Sequence, residues 1–244
     1  MKILVDTHVH TIASGHAYST LNDYIEEAKI KGLEMFALTD HAIAMPGTAN
    51  VFHFYNQVVI PREVNGIKIL RGTEANVIDF DGTIDVEEKL NDSLDLVIGS
   101  FHPICLMTGS KKDNTNAYIN MMKKNQIQII GHPGNRQVEI DIEEFVKAAK
   151  YYDIAIEINN STFTTFSRKG SEKNCEEIIE MGLKHDALFS ISSDAHIRYD
   201  LGNFTEALSR INKYNVSPEK IVNANSKSMI DFLMRKGKLV NGFY

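Results

Sequence analysis

The 244-residue chain has a formal net charge of −6, with 24% charged and 43% hydrophobic residues, the composition of an ordinary soluble globular protein. It has no block of Lys and Arg, which excludes extended nucleic acid and a membrane surface as partners, and no apolar run approaches the roughly 20 residues that cross a bilayer. The length suits one domain over 1–244, a size that α/β barrels fill as a single unit. Cys105 and Cys175 match no C-x-x-C pattern, so each reads as a small buried hydrophobe in a reduced, cytoplasmic chain. No signal-peptide core precedes the first apolar run.

In chain order, Ile3-Leu4-Val5 reads as a buried strand ending in Asp6-Thr7-His8-Val9-His10. A His-x-His pair at a strand end turns both imidazoles to one face. Thr20 with Asp23 resembles a capping box for a helix over Leu21–Lys31, closed by Gly32. Met35–Leu38 is a second strand, ending in Thr39-Asp40-His41. The stretch 49–62 is aromatic-rich and ambiguous, with Pro61 ending any helix there. Strands follow at Ile67–Leu70, ending in Gly72-Thr73-Glu74, and at Leu94–Ile98, ending in Ser100-Phe101-His102-Pro103. A helix around Thr115–Lys124 leads to a fifth strand, Ile127–Ile130, and Gly131-His132-Pro133-Gly134. Asp141 caps a helix to about Tyr152, with Ile142, Phe145, Val146 and Ala149 on one face. The sixth strand, Ile154–Ile158, ends in Asn159-Asn160. A helix over Ser171–Lys184 precedes the seventh, Leu188–Ser192, which ends in Ser193-Asp194-Ala195-His196. From Phe204 onward the chain reads as helical, with Ser217-Pro218-Glu219 as a helix start.

Strands alternating with helices predict a parallel β/α barrel, whose functional groups gather at the C-terminal strand ends. Seven of the nine histidines (His8, His10, His16, His41, His102, His132 and His196) lie there, with Glu74 and Asp194. Catalytic ions commonly take about three protein ligands each, so the set suffices for two or three metals, especially with a bridging carboxylate. Imidazole with carboxylate suits zinc, manganese or iron. The absence of cysteine argues against a purely structural zinc.

His8-x-His10, His16, Thr39-Asp40-His41, Glu74, His102-Pro103, His132-Pro133-Gly134 and Asp194-x-His196 together resemble the PHP family of metal-dependent phosphoesterases. Glu157-Ile158-Asn159-Asn160-Ser161 and Ser167-Arg168-Lys169-Gly170-Ser171 extend the resemblance to its YcdX-type phosphatases. The resemblance implies a distorted seven-stranded (β/α)7 TIM-like barrel with three divalent ions, usually zinc. Carried over, His8, His10, Glu74 and Asp194 hold a first ion. Glu74 bridges to a second, with His102 and His132, and His16, His41 and His196 hold a third.

Such a site favours dianionic phosphate and supplies hydroxide at neutral pH. The expected reaction is in-line attack by a metal-bridging hydroxide on a small phosphate monoester, with Glu74 and Asp194 at the catalytic centre. Arg168 and Lys169, just before the N-cap position Ser171, read as a phosphate clamp or as a solvated basic turn. Asn159 and Asn160 read as donors to phosphate or as caps of the strand end. Asp40 is expected to orient an imidazole. His53 reads as a packing residue or part of a substrate lid, and His185 as a helix-end cation. Phosphodiester cleavage is an alternative. An amidohydrolase is a weaker one, since that class often uses a bridging lysine at a strand end. A non-enzymatic metal-storage role is disfavoured by the intact ligand set. Assembly into a homo-oligomer, for instance a trimer, is a further expectation.

Overall fold

Short β-branched and aliphatic runs, apolar on both faces, can only be satisfied inside a sheet covered on both sides. The structure, a computed structural model, describes residues 1–124, 126–240 and 242–243. Its strands are β1 (Val5–Asp6), β2 (Met35–Leu38), β3 (Glu63–Val64), β4 (Ile67–Asn76), β5 (Leu96–Ser100), β6 (Ile129–Ile130), β7 (Ala155–Asn159) and β8 (Phe189–Ser192). Seven are parallel neighbours in the order β1-β2-β4-β5-β6-β7-β8, a nearly closed barrel. Inward side chains such as Val5, Met35, Leu70, Leu96, Ile98 and Ile129 form one buried cluster. Their alternating neighbours Phe36, Ile69, Val97, Ile130 and Ile156 pack outward against the helices, as a period of two requires.

The helices that separate the strands are α1 (Leu21–Lys31), α2 (Val51–Tyr55), α3 (Glu88–Ser93), α4 (Lys111–Lys123), α5 (Ile142–Tyr151), α6 (Ser161–Thr164), α7 (Glu172–Lys184), α8 (Thr205–Lys213) and α9 (Ser226–Arg235). Thr20 and Asp23 form the expected capping box of α1, and Gly32 ends it in the left-handed conformation. The predicted stripe Ile142, Phe145, Val146 and Ala149 is buried along α5. Met229, Ile230, Phe232 and Leu233 of α9 join the inner cluster.

Several expectations are corrected. A strand absent from the sequence reading, β3, pairs antiparallel with β4 through the turn Asn65-Gly66, whose φ values of 54° and 83° are those of a tight hairpin. Helix α4 starts at Lys111 because Ser110 and Asp113 make a capping box there. Ser171 stands at the N-cap position of α7, but its hydroxyl accepts from Arg136 N–H (3.1 Å) rather than from the helix. Ser217-Pro218-Glu219 starts only a single 3-10 turn over Pro218–Lys220.

After that turn the chain turns again, with Ala224 N–H directed at Ile221 O (3.4 Å), and residues 221–224 fill the seam between β8 and β1, which share no ladder. Val222 N–H donates to Phe189 O (2.9 Å) and Leu4 N–H to Ala224 O (3.0 Å). The side chain of Asn223 spans the same gap: Nδ2 donates to Val5 O (2.8 Å) and Ile191 O (2.6 Å), and Oδ1 accepts from Ile191 N–H (3.0 Å). Above it, Asp6 accepts from Ser193 Oγ and from the N–H groups of Ser193 and Gly202. The seam is thus stitched by side chains, immediately below His8 and Asp194.

Candidate metal centre

Every predicted ligand sits on or just beyond the C-terminal end of a strand: His8, His10 and His16 after β1, His41 after β2, Glu74 on β4, His102 after β5, His132 after β6, and Asp194 and His196 after β8. His132 (φ 28°) and Asp194 (φ 56°) have left-handed backbones, a conformation that costs about 1–3 kcal/mol and is retained where a side chain must be aimed.

The carboxylate of Glu74, fully buried, is the hub. Its Oε1 lies 2.8 Å from His132 Nε2 and 3.4 Å from His102 Nε2. Its Oε2 lies 2.7 Å from His41 Nδ1, 3.3 Å from His8 Nε2 and 3.5 Å from His10 Nε2. Ser100 donates its hydroxyl to Oε1 at 2.6 Å. Gly131 permits that contact, since a Cβ there would stand 2.0 Å from Ser100 Oγ. Asp194 Oδ1 lies 3.2 Å from His10 Nε2 and 3.6 Å from His8 Nε2, and His196 Nε2 lies 3.2 Å from His16 Nε2. All nine predicted ligands therefore converge. Three trios have ligand atoms within 4.8 Å of one another: His8, His10 and Asp194; His10, His41 and His196; and His41, Glu74 and His102.

Burial pushes the Glu74 carboxyl up, but His8, His102, His41 and His132 outweigh it and hold the group well below the usual carboxylate range. At Asp194 burial is likewise overcome, by His8 and Arg168. Burial holds the imidazoles of His10 and His102 well below their ordinary value, so both are neutral and carry a lone pair. At His8 burial is outweighed by Glu157, Glu74 and Asp194, which raise its pKa well above the ordinary value.

Metal ions fit these residues. His8 Nε2, His10 Nε2, His41 Nδ1 and Glu74 Oε2 are buried and have no hydrogen-bond partner; His41 Nδ1 and Glu74 Oε2 touch without hydrogen-bond alignment. Four unpartnered buried polar atoms aimed at one point would each cost roughly 1–3 kcal/mol without a cation.

The outer ring nitrogens are also fixed. Nδ1 of His8 lies 2.6 Å from Glu157 Oε1, and Nδ1 of His196 lies 3.0 Å from Asp194 O, acceptors that keep Nδ1 protonated and make Nε2 the nitrogen available to a metal, which at His8 would displace the second proton. Nδ1 of His102 faces Asn76 Oδ1 at 2.7 Å, and Asn76 Nδ2 is committed to Asp85 Oδ2 at 2.7 Å, with the same result. At His132 the arrangement is inverted. Asn135 Nδ2 lies 3.2 Å from Nδ1 while Asn135 Oδ1 has no partner. Turning that amide over would place Oδ1 on Nδ1–H and release Nε2 as a ligand.

Of the residues expected to meet substrate, Arg168 reaches the cluster. Its Nη1 donates to Asp194 Oδ2 (2.7 Å) and Asn159 Oδ1 (3.2 Å), while Nε and Nη2 have no hydrogen-bond partner among the described residues. Asn159 Nδ2 donates to Glu157 Oε2 and Asp194 Oδ2, both at 3.1 Å. Asn160 instead caps: its Oδ1 accepts from Glu206 N–H (2.9 Å) and Ala207 N–H (3.1 Å) at the start of α8. Lys169 is exposed, and His185 pairs with Glu143 at 3.0 Å. The ion pairs of Glu74 and Asp194 run to histidines and Arg168, and none to a lysine, among the described residues.

The family model described as "PHP domain" matches residues 6–161. The chain belongs to the PHP family. A "probable phosphatase" of Caldicellulosiruptor bescii is 45% identical to this PHP protein over 98% of each chain, and one from Photobacterium profundum is 42% identical over 98% of this chain and 96% of its own. The PHP barrel is also similar, at TM-score 0.61 and 15% identity, to the histidinol phosphate phosphatase of Lactococcus lactis, a structure in complex with zinc, L-histidinol and phosphate; 89% of this chain and 95% of that one align. Together these make the protein a PHP-family phosphatase with clusters able to bind divalent metal.

Sequence reasoning gave an orienting role to Asp40 but missed the other residues that aim the candidate PHP ligands. Glu157 holds His8 Nδ1, accepts the N–H of His132 (2.5 Å) and binds Ser192 Oγ (2.5 Å). It lies 149 positions from His8, and although it stands in the motif that extends the family resemblance, the sequence reading gives it no role. Ser14, Asn76 and Asn135 carried no signal.

Proposed function

We propose that this PHP phosphatase hydrolyses small phosphate monoesters at a centre of three divalent ions, with zinc as the first candidate. The observation that carries this reading is the convergence of His8 Nε2, His10 Nε2, His41 Nδ1 and Glu74 Oε2, buried and unpartnered, beside Asp194. His8, His10, Glu74 and Asp194 would hold one ion, Glu74, His102 and His132 a second, and His16, His41 and His196 a third. His10, which packs its ring 4.3 Å from those of both His41 and His196, stands between the first and third. Ions bound there would lower the pKa of coordinated water toward roughly 7 and offset charge on the phosphoryl oxygens.

The protein's own groups do the rest. Three dications and Arg168, set against Glu74, Asp194 and Glu157, leave a net charge of about +4, which selects a dianionic ester over a neutral amide. Arg168 keeps one guanidinium nitrogen on Asp194 and presents the others to a phosphate oxygen. Asn159, fixed between Glu157 and Asp194, holds the Arg168 end of the site in register. The same guanidinium steadies Asp194, so substrate binding and metal binding share one residue.

The test is hydrolysis of p-nitrophenyl phosphate and of bis(p-nitrophenyl) phosphate by the purified chain as isolated, after chelation, and after adding zinc or manganese. Monoester activity lost on chelation and restored by metal supports the proposal. Turnover of the diester alone would overturn the monoester assignment, and activity indifferent to chelator would overturn the metal centre.

A further inference from the structure

Helix α2 is only five residues long, capped by Asn50 Oδ1 on Phe52 N–H (3.0 Å), yet it carries His53 to a definite place. The side chain of His53 is about one-third exposed (34%), and its Nε2 lies 3.3 Å from Oδ2 of Asp40, which is 1% exposed. The ring stands edge-on to Phe54 at 5.1 Å, and Phe54 is buried. His53 also lines two adjoining hollows of about 630 and 520 Å³, so it is reached from solvent on one side and touches a buried carboxylate on the other.

Asp40 accepts at both oxygens. Oδ1 takes Thr11 N–H (2.7 Å) and Ser14 Oγ–H (2.7 Å), and Oδ2 takes Thr11 Oγ–H (2.8 Å) and faces His53. A hydroxyl has one proton to give. With that proton committed to Asp40, Ser14 Oγ can only accept from its two remaining neighbours, His10 Nδ1 at 3.0 Å and His41 N–H at 3.2 Å. Nδ1 of His10 must then carry the ring's proton, which leaves Nε2 bare and directed at Glu74 and Asp194.

We propose that His53 is a positioning residue, the outermost member of a chain His53–Asp40–Ser14 that fixes the tautomer and direction of His10. The inference rests on the metal centre proposed above. It gives the 48–64 segment a role that neither surface packing nor a substrate lid describes: it braces a ligand from outside the barrel. Because the ring of His10 adjoins those of His8 (4.9 Å), His41 and His196 (4.3 Å each), loosening it would weaken two of the three ion positions and leave the Glu74–His102–His132 side in place.

The experiment is competition for zinc between the loaded full-length protein and a chromogenic chelator, run beside calorimetry of the metal-free protein. Ser14→Ala is expected to weaken zinc retention about 10- to 100-fold, the usual effect of removing a group that orients a ligand. His53→Phe, which keeps bulk but removes the donor, should weaken it in the same direction and by less. His53→Gln, whose amide nitrogen takes the place of Nε2, should restore it. The melting temperature of the metal-free His53 variants should match wild type. Zinc held equally tightly by His53→Phe and wild type would overturn the role of His53. Weakening that tracks a lower metal-free melting temperature would make that role merely structural and overturn it as well. A wild-type chain that binds no zinc would overturn the metal centre itself.

Discussion

At the scale of single residues, the cluster of candidate ligands was legible because the chemistry is local. A His, Asp or Glu directly after an apolar run is recognisable without knowing what it meets. Of the residues that aim those candidate ligands, only Asp40, beside His41, was legible as orienting. Glu157 meets His8 from 149 positions away and Asn76 meets His102 from 26, while Ser14 and Asn135, close in sequence to His10 and His132, are ordinary loop residues by type. Arg168 falls between the two cases. Its neighbourhood suggested phosphate, but nothing local told of Asp194 Oδ2 at 2.7 Å. That contact changes what its removal should do. Arg168→Ala is expected to raise KM for a phosphate monoester about tenfold or more and, if Asp194 is a ligand as proposed, to weaken metal retention as well. Arg168→Lys keeps the charge but not the planar fork, and should recover metal retention better than KM. Steady-state kinetics with metal in excess separate the two effects, and an unchanged KM in Arg168→Ala would show that the guanidinium serves Asp194 alone.

At the scale of elements, the strands and main helices followed from periodicity, since burial on both faces of a sheet and on one face of a helix leaves a clear pattern. The bounds of α1 followed almost residue by residue because Thr20, Asp23 and Gly32 satisfy its ends chemically. What escaped were segments whose shape is decided by a gap elsewhere. Residues 221–224 turn through the gap that β8 and β1 leave unpaired, and no local signal announces such a seam. Asn223, with no exposed surface, makes three hydrogen bonds across it. Asn223→Ala would leave Val5 O and both backbone groups of Ile191 short of partners, at a cost of about 2–4 kcal/mol. Asn223→Asp should be worse, because a carboxylate oxygen would face two carbonyl oxygens. Urea unfolding of the metal-free protein measures both, and a loss under about 0.5 kcal/mol in Asn223→Ala would mean that the backbone of 221–224 carries the seam without it.

At the scale of the whole molecule, the barrel's C-terminal end is built against its own stability. Two carboxylates and seven imidazoles crowd together, ligand atoms are buried without partners, and two ligands have left-handed backbones. An ion that binds only the folded chain offsets this by mass action. At a free concentration a thousand times its Kd, one site contributes about 4 kcal/mol. For a chain of this size that corresponds to roughly 8–16 °C in Tm, at about 2–4 °C per kcal/mol. The folded state should therefore survive chelation, because the two apolar clusters and the seam do not involve the ligands, but it should melt well below the zinc-loaded protein. Calorimetry with and without chelator reads this directly. Equal melting temperatures would mean that the buried ligand atoms find partners other than metal, and a chain that unfolds outright on chelation would mean that the ions, rather than the barrel, hold the C-terminal strand ends together.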